Sequence, residues 1–178
     1  RVRRTTLKTK IAGLSAAALL AASLSAPASA AFISGSISFS DGLDTLGDIV
    51  SDLTTFDIGA PTIASGGTVD FAGVAGVTAT SDFDINNAPA AGVIYSVGGF
   101  SFTLSSVSNI NSSPIACAGG LCSDSKSFNI AGTVSAAGFD DTAFLGNFTA
   151  NGTCQGAAGA CNPGTESGSW SSSIVALE

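Results

Sequence analysis

The sequence predicts an all-β protein, an antiparallel β-sandwich or jelly-roll-like fold in a single domain. Apolar and polar residues alternate with a period of two along most of the chain beyond residue 30, as strands with one buried face do. Gly, Asn, Asp and Ser interrupt this alternation at short intervals and indicate turns. About seven short strands separated by such turns are typical of sandwich and jelly-roll topologies.

The alternation defines the predicted strands one after another. In the segment FISGSISF, Ile33, Ile37 and Phe39 share one side of the strand and serines occupy the other. The remaining predicted strands lie, in chain order, in TVDFAGVAGVTATSDFDI, GVIYSVGGFSFTLSSV, SFNIAGTVSA, TAFLGNFTA and GSWSSSIVALE.

One segment departs from this pattern. In DGLDTLGDIVSDLTTF, apolar residues recur at helical spacing, which predicts one short helix near residues 44–53. Asp44 is suited to cap its start, whereas Gly47 and the β-branched residues weaken the helix.

The first thirty residues have the organisation of a secretory signal peptide. RVRRTTLKTK is basic and contains no acid, and an uncharged apolar run follows that is shorter than the roughly 20 residues of a membrane-spanning helix. Ala28 and Ala30 then form an A-x-A cleavage signature. We therefore expect residues 1–30 to be a cleaved leader and residues 31–178 to form the β-sandwich domain.

Removal of this leader would leave a strongly acidic chain. Five of the six Lys and Arg residues lie in residues 1–10, so Lys126 is the single lysine or arginine beyond them, against thirteen acids. Nucleic-acid binding requires several cations that neutralise phosphates, and anionic membrane surfaces attract basic proteins. We therefore expect no nucleic-acid partner, whereas cations, neutral glycans and other proteins remain compatible partners.

Four cysteines lie in two close pairs, Cys117 and Cys122 in CAGGLC, and Cys154 and Cys161 in CQGAAGAC. In an exported protein, disulfides are the expected state of such cysteines. Three connectivities are possible, and proximity favours pairing within each close pair, on what we expect to be long surface loops. A four-thiolate zinc site is the alternative, although the spacings fit it poorly and the chain contains no histidine.

The composition excludes the common nucleophilic triads. Without histidine, neither a Ser-His-Asp nor a Cys-His arrangement can form. The adjacent carboxylates Asp140 and Asp141 follow Gly138 and are better explained by a turn than by glycoside hydrolysis. A Ser-Lys dyad at Lys126 competes with a solvated loop lysine. We therefore predict that the protein is not an enzyme.

One pattern of oxygen ligands suggests calcium. Asp82, Asp84 and Asn86 alternate in SDFDINN, and hard oxygen ligands suit Ca²⁺. The pattern resembles the start of an EF-hand loop, but Asn87 and Val93 stand where that motif has glycine and glutamate. The alternative is that these acids keep strand edges soluble. No other cofactor is expected.

Two aromatic residues are candidates for a sugar-binding platform. Trp170 and Tyr95 are the only tryptophan and tyrosine of the chain, and such rings stack on sugars in carbohydrate-binding modules. The alternative is that both rings belong to the core.

A leader ending in Ala-Ser-Ala is followed by the segments GSISFS, TVDFAGVAGVTATSDF, GFSFTLSSV, GTVSAAGFDDT and GSWSSSIVAL. In its composition and in the order of these segments, the chain resembles exported proteins of Gram-negative bacteria that carry the PEP-CTERM sorting signal. In that family the final strand usually leads into a Val-Pro-Glu-Pro motif, an apolar helix and a basic tail. The residues up to Glu178 are compatible with such an anchor beyond them and with free secretion. The resemblance implies association with extracellular polysaccharide, biofilm or floc matrix.

Together these features predict a secreted structural or adhesive protein of the cell surface or extracellular matrix of a Gram-negative bacterium. Its expected partners are extracellular polysaccharide, other matrix proteins or further copies of itself, and we expect no transmembrane segment in the mature chain. A carbohydrate-binding module and a subunit that forms fibres through its strand edges are the alternatives.

Overall fold

The computed structural model describes residues 30–45, 47–58 and 62–177. The predicted leader, apart from Ala30, lies outside these residues. Ala31–Glu178 forms one compact unit. Its strands are β1 (Ala31–Phe32), β2 (Gly35–Leu43), β3 (Thr55–Phe56), β4 (Thr62–Ser65), β5 (Gly76–Thr80), β6 (Phe83–Asp84), β7 (Val93–Val97), β8 (Phe100–Ala118), β9 (Leu121–Ser135), β10 (Phe139–Asp140), β11 (Thr142–Ala157), β12 (Ala160–Cys161) and β13 (Ser167–Ala176).

The main sheet closes on itself. Its strands follow the order β12-β11-β13-β2-β4-β5-β7-β8-β9, and β9 also pairs with β11. Every pairing in this ring is antiparallel. In β2, β9, β11 and β13, buried residues on the inside alternate with more exposed residues on the outside. The short pairs β1–β10 and β3–β6 form two separate two-stranded sheets.

The prediction of an antiparallel all-β domain is confirmed. Nine of the described strands form one closed sheet, whereas the sequence predicted a sandwich or jelly roll. Alternation does not distinguish a closed sheet from two packed sheets, because both arrangements bury one face of each strand. Within the described ranges, no helix has the length and apolarity that crossing a bilayer requires.

The helix predicted near residues 44–53 is wrong as an α-helix. The structure has a single 3₁₀ turn at Val50–Asp52, and Asp44 pairs with Asp57 in an isolated antiparallel bridge. Further 3₁₀ turns lie at Val69–Phe71, where a strand was predicted, and at Ala88–Ala91. Of the apolar residues at helical spacing, Leu43, Val50 and Leu53 are buried in the core without forming an α-helix.

A stack of nearly parallel aromatic rings runs through the core. The ring centroids of Phe128 and Phe148 are 4.9 Å apart, and Trp170 lies 5.3 Å from Phe148. Tyr95 lies 5.9 Å from Trp170 and 4.1 Å from Phe39, and no pair in the series is more than 18° from parallel. Every ring of the stack is buried, so the aromatic residues of the alternating segments form one continuous core.

Residues 44–58, which we call the plug segment, pack against the inner faces of β8, β9 and β11 (residue 46 is outside the described residues). Val50, Phe56 and Ile58 are completely buried in the core. The Trp170 Nε1–H donates a hydrogen bond of 3.3 Å to the Ile58 carbonyl. The plug segment therefore supplies core side chains that the strands themselves do not provide.

Candidate functional site

The outer face of β2, β8, β9, β11 and β13 is an array of uncharged polar side chains. In β9, Phe128 and Ile130 face inward, and Ser127 and Asn129 alternate with them on the outer side. The same alternation runs through β11 and β13, whose inward positions include Phe148 and Trp170. Most Ser, Thr and Asn residues of these strands therefore face outward, whereas Thr142 and Ser172 are buried.

The strand registers align these residues into four rows that run across the sheet. We call this array the polar lattice. Its rows are Ser108-Asn129-Asn147-Ser173-Ser38, Asn111-Ser127-Thr149-Ser171-Ser40, Ser113-Ser125-Asn151-Ser169 and Ser123-Thr153-Ser167.

The lattice is regular because the sheet imposes its own spacing. Adjacent strands lie about 4.8 Å apart, and residues two apart on one strand are separated by about 6.8 Å. Some of its side chains also bond to one another. Asn147 Nδ2 donates to Asn129 Oδ1 at 3.4 Å, and the Thr149 hydroxyl donates to Asn147 Oδ1 at 3.1 Å.

The chemistry of the lattice is limited to neutral hydrogen bonding. Each hydroxyl offers a donor and an acceptor, and each Asn side chain offers two donors and an acceptor. The lattice contains no carboxylate, amine or aromatic ring. It therefore matches partners that carry many hydroxyls and no charge.

An apolar strip adjoins the lattice at one end. Leu145 and Val175 are directly opposite each other on β11 and β13 and are about half exposed. Leu177, whose backbone N–H donates to the Ala143 carbonyl, is also exposed. The outer face thus passes from hydroxyls to aliphatic side chains within the same strands.

The structure places both aromatic candidates in the core. Trp170 is 2% exposed and Tyr95 is completely buried, stacked between Trp170 and Phe39. In this arrangement neither ring offers a face to a sugar. Burial raises the pKa of Tyr95 above its ordinary 10.0, and the neighbouring Ser172 hydroxyl offsets this only in part.

The residues predicted for calcium lie near one another without forming a ligand cage. The Asp84 carboxylate accepts a hydrogen bond of 2.8 Å from the Asn86 backbone N–H, which uses one of its oxygens in a local turn. Desolvation and the adjacent Asp57 carboxylate raise the pKa of Asp82. Among the described residues, no three acidic or sulfur side chains are grouped so that they could hold a metal ion.

Lys126 has a structural position that the sequence reasoning missed. It is 5% exposed, and its ammonium donates a hydrogen bond of 2.5 Å to the Leu53 carbonyl of the plug segment. Asp124 accepts a hydrogen bond from the Ser51 N–H. Burial lowers the pKa of Lys126, and the negative charges of Asp52 and Asp124 partly oppose this shift. These contacts fasten the plug segment to β9.

A small crevice lies between the plug segment and the distal part of β9 and β11. Asp48, Asp124 and Glu166 contribute carboxylates to its lining. Its interior has room for about one water molecule, which is too small for a sugar or a peptide side chain.

The predicted disulfide pairing is confirmed. Cys117–Cys122 joins directly opposite residues of β8 and β9, and Cys154–Cys161 joins β11 to β12. Cys122 and Cys154 are also opposite each other, so the two disulfides lie side by side across neighbouring strands. They fasten hairpins rather than the long loops that the sequence suggested.

The exposed edge of β8 bears on the fibre alternative. β7 pairs with β8 only as far as Thr103, so the long distal part of β8 has β9 as its strand partner on one side alone. This part contains Pro114, a residue with positive φ at Asn109 and three irregularities in register. Proline and bulges on an edge strand hinder pairing with another chain.

Comparisons with protein-family models, with curated proteins and with solved structures found no match.

Proposed function

We propose that the protein is a non-catalytic structural or adhesive component of the cell surface or extracellular matrix, and that the polar lattice is its contact surface. The lattice is the observation that supports this proposal. It is the largest regular arrangement of exposed functional groups described above, and it lies on a rigid sheet. A broad surface of this kind suits adhesion, whereas the crevice is too small to hold a substrate.

Export to an oxidising compartment is part of the proposal. The leader-like residues 1–30 and the two disulfides are both consistent with it. The resemblance to PEP-CTERM proteins remains a proposal as well, and it agrees with a Gram-negative cell surface as the destination.

The burial of Trp170 and Tyr95 weighs against the alternative of an aromatic-platform carbohydrate-binding module. The irregular edge of β8 weighs against assembly into fibres through that strand. We therefore favour adhesion through a sheet face over both alternatives.

The test is to express the full chain, with its leader, in a Gram-negative bacterium that produces an extracellular matrix. We expect mass spectrometry to show that the exported protein begins at Ala31. Immunoblots of washed cells, medium and matrix should show retention in the matrix or on the cell surface.

A lattice variant replaces three hydroxyls in one row: Ser127→Ala, Thr149→Val and Ser171→Ala. A matched control makes the same types of change at exposed residues outside the lattice: Ser81→Ala, Thr55→Val and Ser105→Ala. We expect only the lattice variant to be released into the medium. Equal retention of both variants, or a wild-type protein found only in the cytoplasm, would contradict the proposal.

A further inference from the structure

We infer that the polar lattice binds long, uncharged polysaccharide chains by many weak contacts spread over the sheet, an inference that rests on the proposed adhesive function and names its ligand class. The lattice is neutral, it lacks the groups that other partners require, and its side chains repeat at regular spacing.

The lattice is neutral although the chain around it is acidic. The sequence has thirteen Asp and Glu residues, and none of them occupies a lattice position. Asp124 belongs to β9 but faces inward and bonds to the plug segment. An anionic polysaccharide would be repelled by the surrounding acids and would find no cation on the lattice.

Other macromolecules fit the lattice poorly. Protein interfaces are enriched in aromatic residues, Met and Arg and depleted in Ser, the commonest residue of the lattice. Nucleic acids and anionic membranes require Lys or Arg. Among biological polymers, neutral polysaccharides are the ones that present dense hydroxyls without charge.

Recognition by stacking on aromatic rings is also absent from this face. Trp170 and Ile174 point inward from β13 while Ser171 and Ser173 point outward. Sugars on the lattice would therefore be held by hydrogen bonds, and near its end by contact with Leu145 and Val175. Such contacts are individually weak because water competes for each of them.

Repetition compensates for this weakness. Ser and Thr side chains on a paired sheet have few rotamers to lose, so binding costs them little conformational entropy. Rows in register allow one polymer to bond at several positions, and each further contact is intramolecular once the first has formed. We therefore expect affinity to increase with polymer length and monosaccharides to bind negligibly.

The experiment is affinity electrophoresis of the mature, disulfide-bonded protein in native gels that contain a defined polymer. Hydroxyethylcellulose, dextran and a galactomannan provide neutral polymers, and carboxymethylcellulose provides a charged polymer with the same backbone as the first. We expect at least one neutral polymer to retard the protein and carboxymethylcellulose to leave its mobility unchanged. Retardation should increase from short to long polymer fractions.

Sedimentation with the retarding polymer then gives the salt dependence. Salt does not screen hydrogen bonds between neutral groups. The apparent affinity should therefore change less than about twofold between about 0.05 and 0.5 M NaCl. The lattice variant should bind at least fivefold more weakly than the matched control. If its thermal unfolding shows that it does not fold, Thr149→Val alone takes its place, with an expected loss of at least twofold.

The outcomes separate this inference from the proposed function. Matrix retention without binding to any neutral polymer overturns the inference and leaves the adhesive function standing. Equal retardation by carboxymethylcellulose, or unaltered binding by the lattice variant, also overturns the inference. Binding to neutral polymers by a protein that never leaves the cytoplasm would instead contradict the proposed function.

Discussion

At the scale of single residues, period-two alternation correctly predicts that the Lys126 side chain faces inward. In LCSDSKSFNI, the positions of Cys122, Asp124 and Lys126 are in phase with Phe128 and Ile130, which are buried. The pattern thus contained a signal that a lysine and an aspartate face inward. A rule that assigns charged residues to solvent overrides that signal, because buried charges are uncommon unless paired.

Replacement of this lysine should destabilise the fold. Lys126→Met removes the hydrogen bond that the ammonium donates to the Leu53 carbonyl, and with it a contact that holds the plug segment on β9. We expect the free energy of unfolding at pH 7 to fall by about 2 kcal/mol in urea denaturation. Ser125→Ala, on the outer face of the same strand, should change it by less than about 0.5 kcal/mol. A Lys126→Met protein as stable as the wild type would contradict this role.

The difference in the free energy of unfolding between wild type and Lys126→Met should depend on pH. The pKa of Lys126 is lower in the folded chain than its ordinary 10.5, so between these values the unfolded chain binds more protons. Stability contributed by this group therefore rises with pH across that interval. The gap in stability between wild type and Lys126→Met should widen as pH rises toward 10.5. A gap that narrows over this interval would show that the ammonium is not disfavoured by burial.

Tyr95 should give the stability the opposite pH dependence. Its hydroxyl and that of Ser172 are buried without a hydrogen bond of good geometry. Because burial raises the pKa of Tyr95, the unfolded chain loses its phenolic proton first, and stability falls as pH rises above 10.0. Tyr95→Phe, combined with Ser172→Ala, should remove that fall and raise stability at pH 7 by about 0.5–1 kcal/mol. Unchanged pH dependence in the double variant would refute this explanation.

At the scale of elements, the plug segment is where sequence reasoning failed. Apolar residues can recur at helical spacing in a segment of turns when several of its side chains pack into one core. Here Val50 and Leu53 are buried in the core of the closed sheet. Local pattern cannot show this, because the contacts come from β9 and β11, distant in sequence. The strands β2, β9, β11 and β13 were predictable, since each of them carries its own buried face.

Gly152 on β11 tests the fit between plug and sheet. A Cβ added there would lie 2.8 Å from the Val50 Cγ2 and would overlap the Asp124 carboxylate. Gly152→Ala should therefore lower the free energy of unfolding by about 1–3 kcal/mol. Gly42→Ala is the matched control, because its new Cβ meets no atom closer than 4.0 Å. We expect no loss of stability there, and equal effects in calorimetry would argue against tight packing of the plug segment.

The two disulfides were predictable in pairing but not in setting. Proximity in sequence favoured the observed pairs. The glycine-rich composition of both segments suggested long loops, whereas both pairs lie in β-hairpins. Loops of this size stabilise by about 2 kcal/mol each on the chain-entropy estimate. Cys154→Ala with Cys161→Ala should lower stability by that amount, and Cys117→Ala with Cys122→Ala by a similar amount. Denaturation curves that coincide with the wild type would contradict a stabilising role.

At the scale of the whole molecule, closure of the sheet produces the candidate site. Period-two alternation already assigned serines to the outer side of the first strand, but alignment of five strands into rows depends on register. Register is set by pairings between distant segments, which a single sequence does not show. Trp170 and Tyr95 are candidates from sequence because aromatic rings stack on sugars. Large aromatic rings also fill a protein core, and both residues are buried there.

The most direct measurement is an NMR titration of isotope-labelled protein with short fragments of the neutral polysaccharide that retards it. We expect chemical-shift changes to concentrate on the amide signals of the lattice residues, including Asn147, Thr149 and Ser171. Signals from Asp82 to Asn86, which lie outside the lattice, should stay unchanged. Changes concentrated on the acidic residues, with the lattice unaffected, would show that binding occurs elsewhere and that the outer face is not the contact surface.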